Sequence, residues 1–541
     1  MPLETKHKKF IASLILFLIS FFSVTEGIPD VGITWDEPFV YFTGSRLALM
    51  WTKEITTELK KGNFSALFDK KRLNRYWPPS TRETQARLHP NDHPPLARWL
   101  SAITWIVFHE IAGDLWSFRY SSAILLSILT TTIFITLSTR INFIAGFFSA
   151  CALALMPRVF GHAHLSTTDF PMMSFWYFSV VSFYKGLYSK WWAWGFGLVL
   201  GLALSIKFTG FMIPLALGIY SITTKDKRAL NNLIPSLTLT PFIFLALNPT
   251  FWTNTLSRFY HNFILLFLTR NEYAAFPTHY LGQTYVFDLP WHHSFVLTAA
   301  TIPVQILILA LLGLSGQIRF LFKPGWWSLL VWQLVFFYAI LTLPFTPNHD
   351  GVRLFLSVFP FLACFAGLGF NSVSKAISDR IQNSDLKFFN PKNLSIITAV
   401  LLLAPSTFYL VRVHPFYLES FNMLAGGVSG GHKLGFETTY YLDTMTPKAL
   451  KKINSLPKKA RIGSINIPYR HLLFLKNHGL LRNDLNFASV DNADFWLLIP
   501  REGSFSESIW ELYELGNPTH SISFDGVSLF MIYNANIKKP S

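Results

Sequence analysis

The chain has 541 residues, of which 51% are hydrophobic, 16% aromatic and only 14% charged, with 53 Phe and 17 Trp. Soluble proteins carry about 25% charged residues, so this composition excludes a single soluble domain, and the abundance of large apolar side chains excludes disorder. Lys and Arg outnumber Asp and Glu by 46 to 30, a formal charge of +16, but the basic residues are diluted among apolar runs and form no concentrated face, which argues against nucleic acid as a partner.

A bilayer crossing needs roughly 17 to 25 mostly apolar residues. That requirement predicts spans at 10–26, 116–138, 141–157, 170–187, 191–206, 209–222, 232–247, 295–315, 325–343, 354–370 and 393–412, about eleven in all. The pair 191–206 and 209–222 is short and suits a tilted or partly re-entrant hairpin. Residues 6–9 are basic and precede an apolar stretch, as in a secretory signal. The following Ser-Val-Thr-Glu-Gly at 23–27 is not a clean small-x-small cleavage site, so the first span is read as uncleaved. Cys151 and Cys364 both sit in apolar runs, which supports neither a disulfide framework nor a thiolate metal site.

Basic residues set the orientation. With the N-terminus cytoplasmic, Lys6, Lys8, Lys9, Arg140, Lys185, Lys190, Lys225, Lys227, Arg228, Arg319, Lys323, Lys375, Arg380, Lys387 and Lys392 all fall inside, as the positive-inside rule requires. The same assignment puts 28–115, 158–169, 248–294, 344–353 and everything after 412 outside. Every polar cluster then lies on that outer face.

The first outer segment, 28–115, is too long for a connector. It holds GITWDEP (32–38), a basic stretch at 60–75, and a stretch at 91–113. A twelfth span there would invert every later loop, so 91–113 is read as a helix on the outer membrane surface with Trp99 and Trp105 at headgroup level. Asp36 and Glu37 stand at a loop-to-helix junction, where both can address one cavity. Pro38 suits the first turn of a helix whose N-terminal dipole keeps a nearby carboxylate ionised, and a solvated acidic helix start is the plainer alternative.

Asp169, in MPRVFGHAHLSTTDFPMM (156–173), repeats this arrangement at the mouth of another span, with an N-cap as its plainer role. Arg158, Lys207 in SIKFTG and Arg353 in TPNHDGVRLF bring positive charge to the same side. A Lys between two short apolar segments must snorkel or find a partner, and a phosphate is such a partner. His93, His162, His164, His349 and Asp350 complete the outer set. The pair His162 and His164 has the HxH spacing of a divalent-metal ligand set near Asp169, a reading placed below an interfacial pair that bonds backbone or headgroups. No cofactor is required, and a divalent metal is not favoured.

Carboxylates facing cations at the mouth of a bundle suit attack by an acceptor hydroxyl on a sugar linked to a lipid phosphate. A carboxylate serves as general base, Lys or Arg stabilises the departing phosphate without protonation, and the spans offer a groove for a polyprenyl tail. The alternative is a polytopic transporter or lipid flippase, which is expected to carry charged residues near the bilayer midplane and repeated halves. The transfer reading requires Asp36, Asp169 and Lys207 to converge around one pocket at the non-cytosolic rim.

The chain resembles the family 39 membrane glycosyltransferases of the GT-C fold, the group of protein O-mannosyltransferases and the bacterial aminoarabinose transferase for lipid A. The resemblance rests on WDEP (35–38), HPPLARWL (93–100), PRVFGHAHLSTTDFPM (157–172), GLALSIKFTG (201–210) and HDGVRLFLSVFPFLACFAGLG (349–369). The stretch HPFYLESFNMLAGGVSGGHKLGFETTYYLD (414–443) is similar to a bacterial branch. The resemblance implies a polyprenyl-phosphate-linked sugar as donor and a lipid, glycan or protein hydroxyl as acceptor, with metal-independent chemistry in the bacterial inner membrane. It marks Asp36 as the base with Glu37 beside it, Asp169 as the second acidic position, His93 as the HPPL histidine, and Lys207 and Arg353 as basic positions. No MIR-type repeats are apparent, which puts a protein acceptor in doubt.

The expected architecture is mostly α: a transmembrane GT-C module over 1–413, a glycine-rich outer segment at 414–445 and a small periplasmic α/β domain at 446–541. Within 425–439 the glycines suit either a phosphate nest or a flexible lid. Beyond 445 the apolar runs are too short to cross a bilayer. Strands are predicted at 461–466, 494–500 and 527–534, the last after an Asp525-Gly526 turn, and helices at 447–455, 470–480 and 507–515.

Overall fold

The computed structural model describes residues 3–78, 93–267, 276–286, 288–344, 346–383 and 390–535. Lys387 of the inside basic set and the first two residues of the 91–113 stretch lie outside the described residues. The architecture is a helical membrane bundle with a small sheet near the C-terminus.

Among the described residues, five helical segments are long and apolar enough to cross a bilayer: Lys6–Asp30, Trp116–Arg140, Lys227–Leu247, Arg353–Gln382 and Pro391–Val413. The shorter apolar helices Lys190–Leu204, Phe208–Thr223, Val304–Ile318 and Trp326–Leu341 stand where further spans were expected. Proline breaks two of the expected spans. In 141–157 the helix Phe143–Ala154 ends before Pro157, and the chain resumes as Pro157–Ala163 after a bend of 71°. Proline forces its predecessor out of helical geometry and is well suited to a first helical turn, and Met156 is extended at φ −80°, ψ 112°. Likewise 295–315 divides into His293–Thr301 and Val304–Ile318 at Ile302-Pro303. These breaks place short helix starts where an apolar run alone suggests continuous spans.

Small residues let the bundle close. A Cβ on Gly313 would lie 2.0 Å from the Phe365 carbonyl, and one on Gly369 2.0 Å from that of Leu309. The helices Val304–Ile318 and Phe359–Gln382 therefore meet backbone to backbone, the contact that glycine permits inside membranes.

The expected surface helix is Leu96–Ala112, and its two tryptophans are half-buried against protein. Trp99 packs with Trp51 and Trp77 and donates to the Leu247 carbonyl, while Trp105 donates to Asp114 and stacks on His109. The outward stripe is instead Ile103, Ile106, Val107 and Ile111, at the three-to-four spacing of one helix face.

After the last long helix, a five-stranded mixed sheet has the order β4-β3-β5-β7-β6, with β3 Arg461–Ile465, β4 Asn486–Phe487, β5 Phe495–Leu498, β6 His520–Phe524 and β7 Val527–Asn534. Strand β3 runs parallel to β4 and β5, and β7 runs antiparallel to β5 and β6. Asp525 and Gly526, at φ 48° and 79°, make the tight β6–β7 turn. Its helices are Pro447–Asn454, Tyr469–Asn477 and Glu507–Leu515. One apolar cluster joins this region to the first outer segment: Ile33, Phe42, Leu115 and Phe118 pack with Ile462, Leu472, Leu497 and Ile532.

The glycine-rich segment is neither an open nest nor a loose lid. It forms the short helix Gly427–Lys433. A Cβ on Gly431 would strike the Phe421 ring at 2.6 Å, and one on Gly435, at φ 75°, would meet Gly282 N at 2.1 Å. Gly431 thus serves close packing on Phe421, and Gly435 on the turn of the β1–β2 hairpin, Thr278–Tyr280 and Gln283–Tyr285.

Candidate active site

Asp36, Glu37 and Pro38 enter a wide π-helical turn, Glu37–Phe42, with Pro38 in its first turn as the sequence predicts. Asp36 Oδ2 accepts from Tyr441 Oη at 2.9 Å and from Arg353 Nη1 at 3.2 Å. Among the described residues, no hydrogen bond reaches its other oxygen, Oδ1. Its side chain is 20% exposed, the most open of the acids that meet Arg353.

Arg353 is the hub. Its Nε lies 3.2 Å from Asp169 Oδ2 and its Nη1 3.1 Å from Asp350 Oδ2, while its guanidinium covers the Tyr441 ring at 4.7 Å. Local backbone explains how Asp350 and Arg353 address one point. Asp350 and Gly351 are both left-handed, at φ 59° and 62°, and turn the chain sharply before Arg353–Val358. Only glycine fits at 351, because a Cβ there would lie 2.7 Å from the Tyr440 ring.

Asp169 opens the helix Asp169–Gly186, where free backbone N–H groups favour a carboxylate. Its Oδ1 accepts from Lys207 Nζ at 2.6 Å. Lys207 precedes the turn Phe208–Phe211, and Ser205 just before it accepts from the Leu96 N–H at 2.8 Å. The HPPL turn with His93 therefore lies beside the Lys207 segment. The structure thus joins Asp36, Arg353, Asp169 and Lys207 into one network, although Asp36 and Asp169 are 133 positions apart in the chain.

The charges shape the ionisation. Burial raises the Asp36 carboxyl above its ordinary value, and Arg353 and Tyr441 only partly offset it. Burial also acts on Asp169 and Asp350, but there the cations win: Lys207 and Arg353 hold Asp169 well below the carboxylate range, and Arg501, His349 and Arg353 lower Asp350.

Glu37 departs from the expectation that it shares a cavity with Asp36. It is fully enclosed, and both oxygens are saturated by Arg119 Nε and Nη2 at 2.8 and 2.6 Å, by the Thr34 N–H and hydroxyl, and by the Ser166 N–H. Arg119 spends its remaining donors on the carbonyls of Ile28, Val31 and Gly32. Arg158 is also apart from the network. It is buried, donates to the Ser420 carbonyl at 3.1 Å and stacks on Phe421 and Tyr440. His349 stacks on Phe276 and lies 3.9 Å from Asp350.

The HxH spacing does not produce a ligand pair. His162 lies on the helix Pro157–Ala163 near Tyr441, whereas His164 follows that helix, bonds the Phe160 carbonyl and lies against Gly27. Among the described residues, no three His, Cys, Asp or Glu side chains form a group able to hold a metal.

Three participants were missed in the sequence. Arg119 is a lone charge at the start of the 116–138 span, a position whose cost signals a buried partner. Tyr441 lies within GFETTYYLD, quoted only for its resemblance. Arg501 follows a strand and carries no local sign of its partner, Asp350, 2.9 Å away.

Residues 92–252 match the family model described as dolichyl-phosphate-mannose-protein mannosyltransferase. That segment contains Arg158, Asp169 and Lys207, while Asp36 and Arg353 lie on either side of it. The structure is similar to that of ArnT from Cupriavidus metallidurans in the apo state, with a TM-score of 0.50 and 13% identity over 98% of this chain and 99% of that one. It also aligns with ArnT from Cupriavidus metallidurans bound to undecaprenyl phosphate, with a TM-score of 0.47 and 13% identity over 100% of both chains. No curated protein matches the chain. The fold is of the GT-C type, as the motifs led us to expect. The family resemblance read from those motifs is supported by the matched segment. Neither comparison supports the transporter or flippase alternative.

Proposed function

We propose that this protein is a polyprenyl-phosphate-sugar-dependent glycosyltransferase acting at the outer face of a bacterial inner membrane, with Asp36 as general base. The observation that carries the reading is the uncommitted Oδ1 of a partly exposed Asp36, whose other oxygen is tied to Arg353 beside Lys207 and Asp169. The match of residues 92–252 to the dolichyl-phosphate-mannose-protein mannosyltransferase family supports a polyprenyl-type phosphosugar donor.

The acceptor hydroxyl gives its proton to Asp36 Oδ1 while its oxygen attacks the anomeric carbon. The bond from that carbon to the phosphate oxygen breaks, and the electron pair leaves with the polyprenyl phosphate. Arg353 and Lys207 are the groups assigned to its growing charge, Arg353 because it touches Asp36 and Lys207 because it joins the same network through Asp169. A carboxyl raised by burial is a stronger base than an exposed one, which suits it to accept a hydroxyl proton near neutral pH. Glu37 is assigned to holding the WDEP turn in place, and Arg158 to the wall behind Tyr440. The acceptor is a hydroxyl of a lipid, glycan or protein, and the periplasmic side carries the C-terminal region.

Transfer of labelled sugar from polyprenyl phosphate by the purified protein tests the reading. Asp36→Asn is expected to slow transfer by about a hundredfold or more. A native rate in that variant removes Asp36 as base, and movement of the lipid across the bilayer without sugar transfer overturns the enzyme assignment.

A further inference from the structure

We propose that Arg501 is a positioning residue for this reaction, acting through Asp350 on Arg353 and so on Asp36; the inference rests on the reading just given. The chain of contacts is continuous. Arg501 Nη2 donates to Asp350 Oδ1 at 2.9 Å, Asp350 Oδ2 meets Arg353 Nη1 at 3.1 Å, and the same Nη1 reaches Asp36 Oδ2 at 3.2 Å. Every member is mostly or wholly enclosed, so solvent screens these interactions weakly.

Arg501 is itself held by structure that the bundle does not supply. It follows strand β5, and its Nη1 points to the Tyr440 carbonyl at 3.4 Å. On one side, Thr438 donates to Glu502 and the Gly503 N–H donates to Glu437. On the other, a Cβ on Gly503 would lie 2.4 Å from the Pro277 carbonyl. The segment 500–503 is therefore wedged between Pro277, which precedes β1, and 437–440, and it delivers one guanidinium to the back of Asp350.

The consequence is electrostatic as well as geometric. With Arg501 in place, one oxygen of Asp350 is neutralised and the other is aimed at Arg353. Without it, Asp350 draws Arg353 toward itself and adds an unbalanced negative charge behind Asp36. The groups facing Asp36 are Arg353, Asp169, Asp350, Tyr41, Tyr441 and Arg470. Those facing Asp350 are Arg501, Arg353, His349, Asp36, Asp169, Glu437 and Tyr440. Loss of Arg501 leaves the Asp350 set one positive charge poorer, and the less compensated Asp350 carboxylate makes Asp36 harder to ionise.

The test compares full-length native protein with Arg501→Gln, Arg501→Lys and Asp350→Asn, using the labelled phosphosugar that the native protein turns over. Arg501→Gln is expected to lower kcat between about ten- and a hundredfold, with donor KM within about threefold of native, and to move the acid limb of the kcat–pH profile to higher pH. Arg501→Lys restores the limb and most of kcat. Asp350→Asn, which removes the like charge, moves the limb to lower pH even as kcat falls. A folded Arg501→Gln with native kcat, or with reduced kcat and an unmoved limb, overturns the inference. Where Arg501→Gln does not fold, an unmoved limb in Asp350→Asn overturns it instead. Native transfer by Asp36→Asn would sink the base assignment, whereas an inactive Asp36→Asn beside an unmoved Arg501→Gln limb sinks only the present inference.

Discussion

Asp36 and Glu37 are chain neighbours with opposite surroundings. Glu37 is buried against Arg119 with every lone pair directed at a donor, whereas Asp36 keeps one oxygen uncommitted. Glu37→Gln leaves the Arg119 guanidinium buried without its counter-charge, and breaking such a pair costs about 3–5 kcal/mol. A clear drop in thermal midpoint is expected, with near-native kcat in the folded fraction. Asp36→Asn behaves in the reverse sense. Because burial raises its folded-state pKa, the folded protein holds this proton more tightly than the unfolded chain does, and stability falls as pH rises from the ordinary carboxylate value through the raised one. At pH 7 Asp36→Asn is therefore expected to unfold at or above the native temperature while losing transfer. The same shift requires the native rate to decline as pH is lowered through the raised pKa, measurable as kcat against pH. Asp36, Asp169, Lys207 and Arg353 were legible in the sequence because each puts a charge at the mouth of an apolar run. Their partners Tyr441 and Arg501 were not, since the pairings span 405 and 151 positions with no local pattern to mark them.

At the scale of elements, the site depends on helix starts. Asp169 and Lys207 stand at the beginnings of separate helical segments and meet at 2.6 Å in a nearly closed setting. Lys207→Met strands a buried carboxylate beside Arg353 alone, and a loss of about 3–5 kcal/mol is expected. In the double variant with Asp169→Asn the charge is gone as well, so the combined loss should be smaller than the sum of the single ones. Thermal midpoints of the four proteins measure this coupling, and strict additivity would deny the pair its interaction. Hydropathy located the apolar helices but not where they break, because it averages over windows wider than a proline kink. Pro157 and Pro303 were visible as residues, yet only packing decides whether a helix bends or ends at a proline. The C-terminal strands were easier, since alternation and the Asp525-Gly526 turn are local signals.

Across the whole molecule, the sheet region is fused to the bundle through a shared apolar cluster. Ile33, Phe42, Leu115 and Phe118 lose their cover if residues after 445 are removed. A chain truncated there is expected to aggregate or be degraded rather than persist as a functional membrane core, as size-exclusion chromatography in detergent would show. Orientation is a separate matter, inferred from basic residues alone. A single cysteine at position 225 should react with an impermeant thiol reagent only from the cytosolic side, and one at 491 only from the outer side. The opposite pattern would invert the topology and place the Asp36 network in the cytosol.

Trp35, beside Asp36, donates its backbone N–H to the Tyr441 carbonyl, and Gly32 does the same to Asp443. The WDEP turn is thus stitched to a strand of chain made some four hundred residues later. During synthesis this early loop is made long before its stitching partners exist. No nascent fragment that lacks residues 441–443 can close the Asp36 pocket, so its assembly waits until that segment has been made.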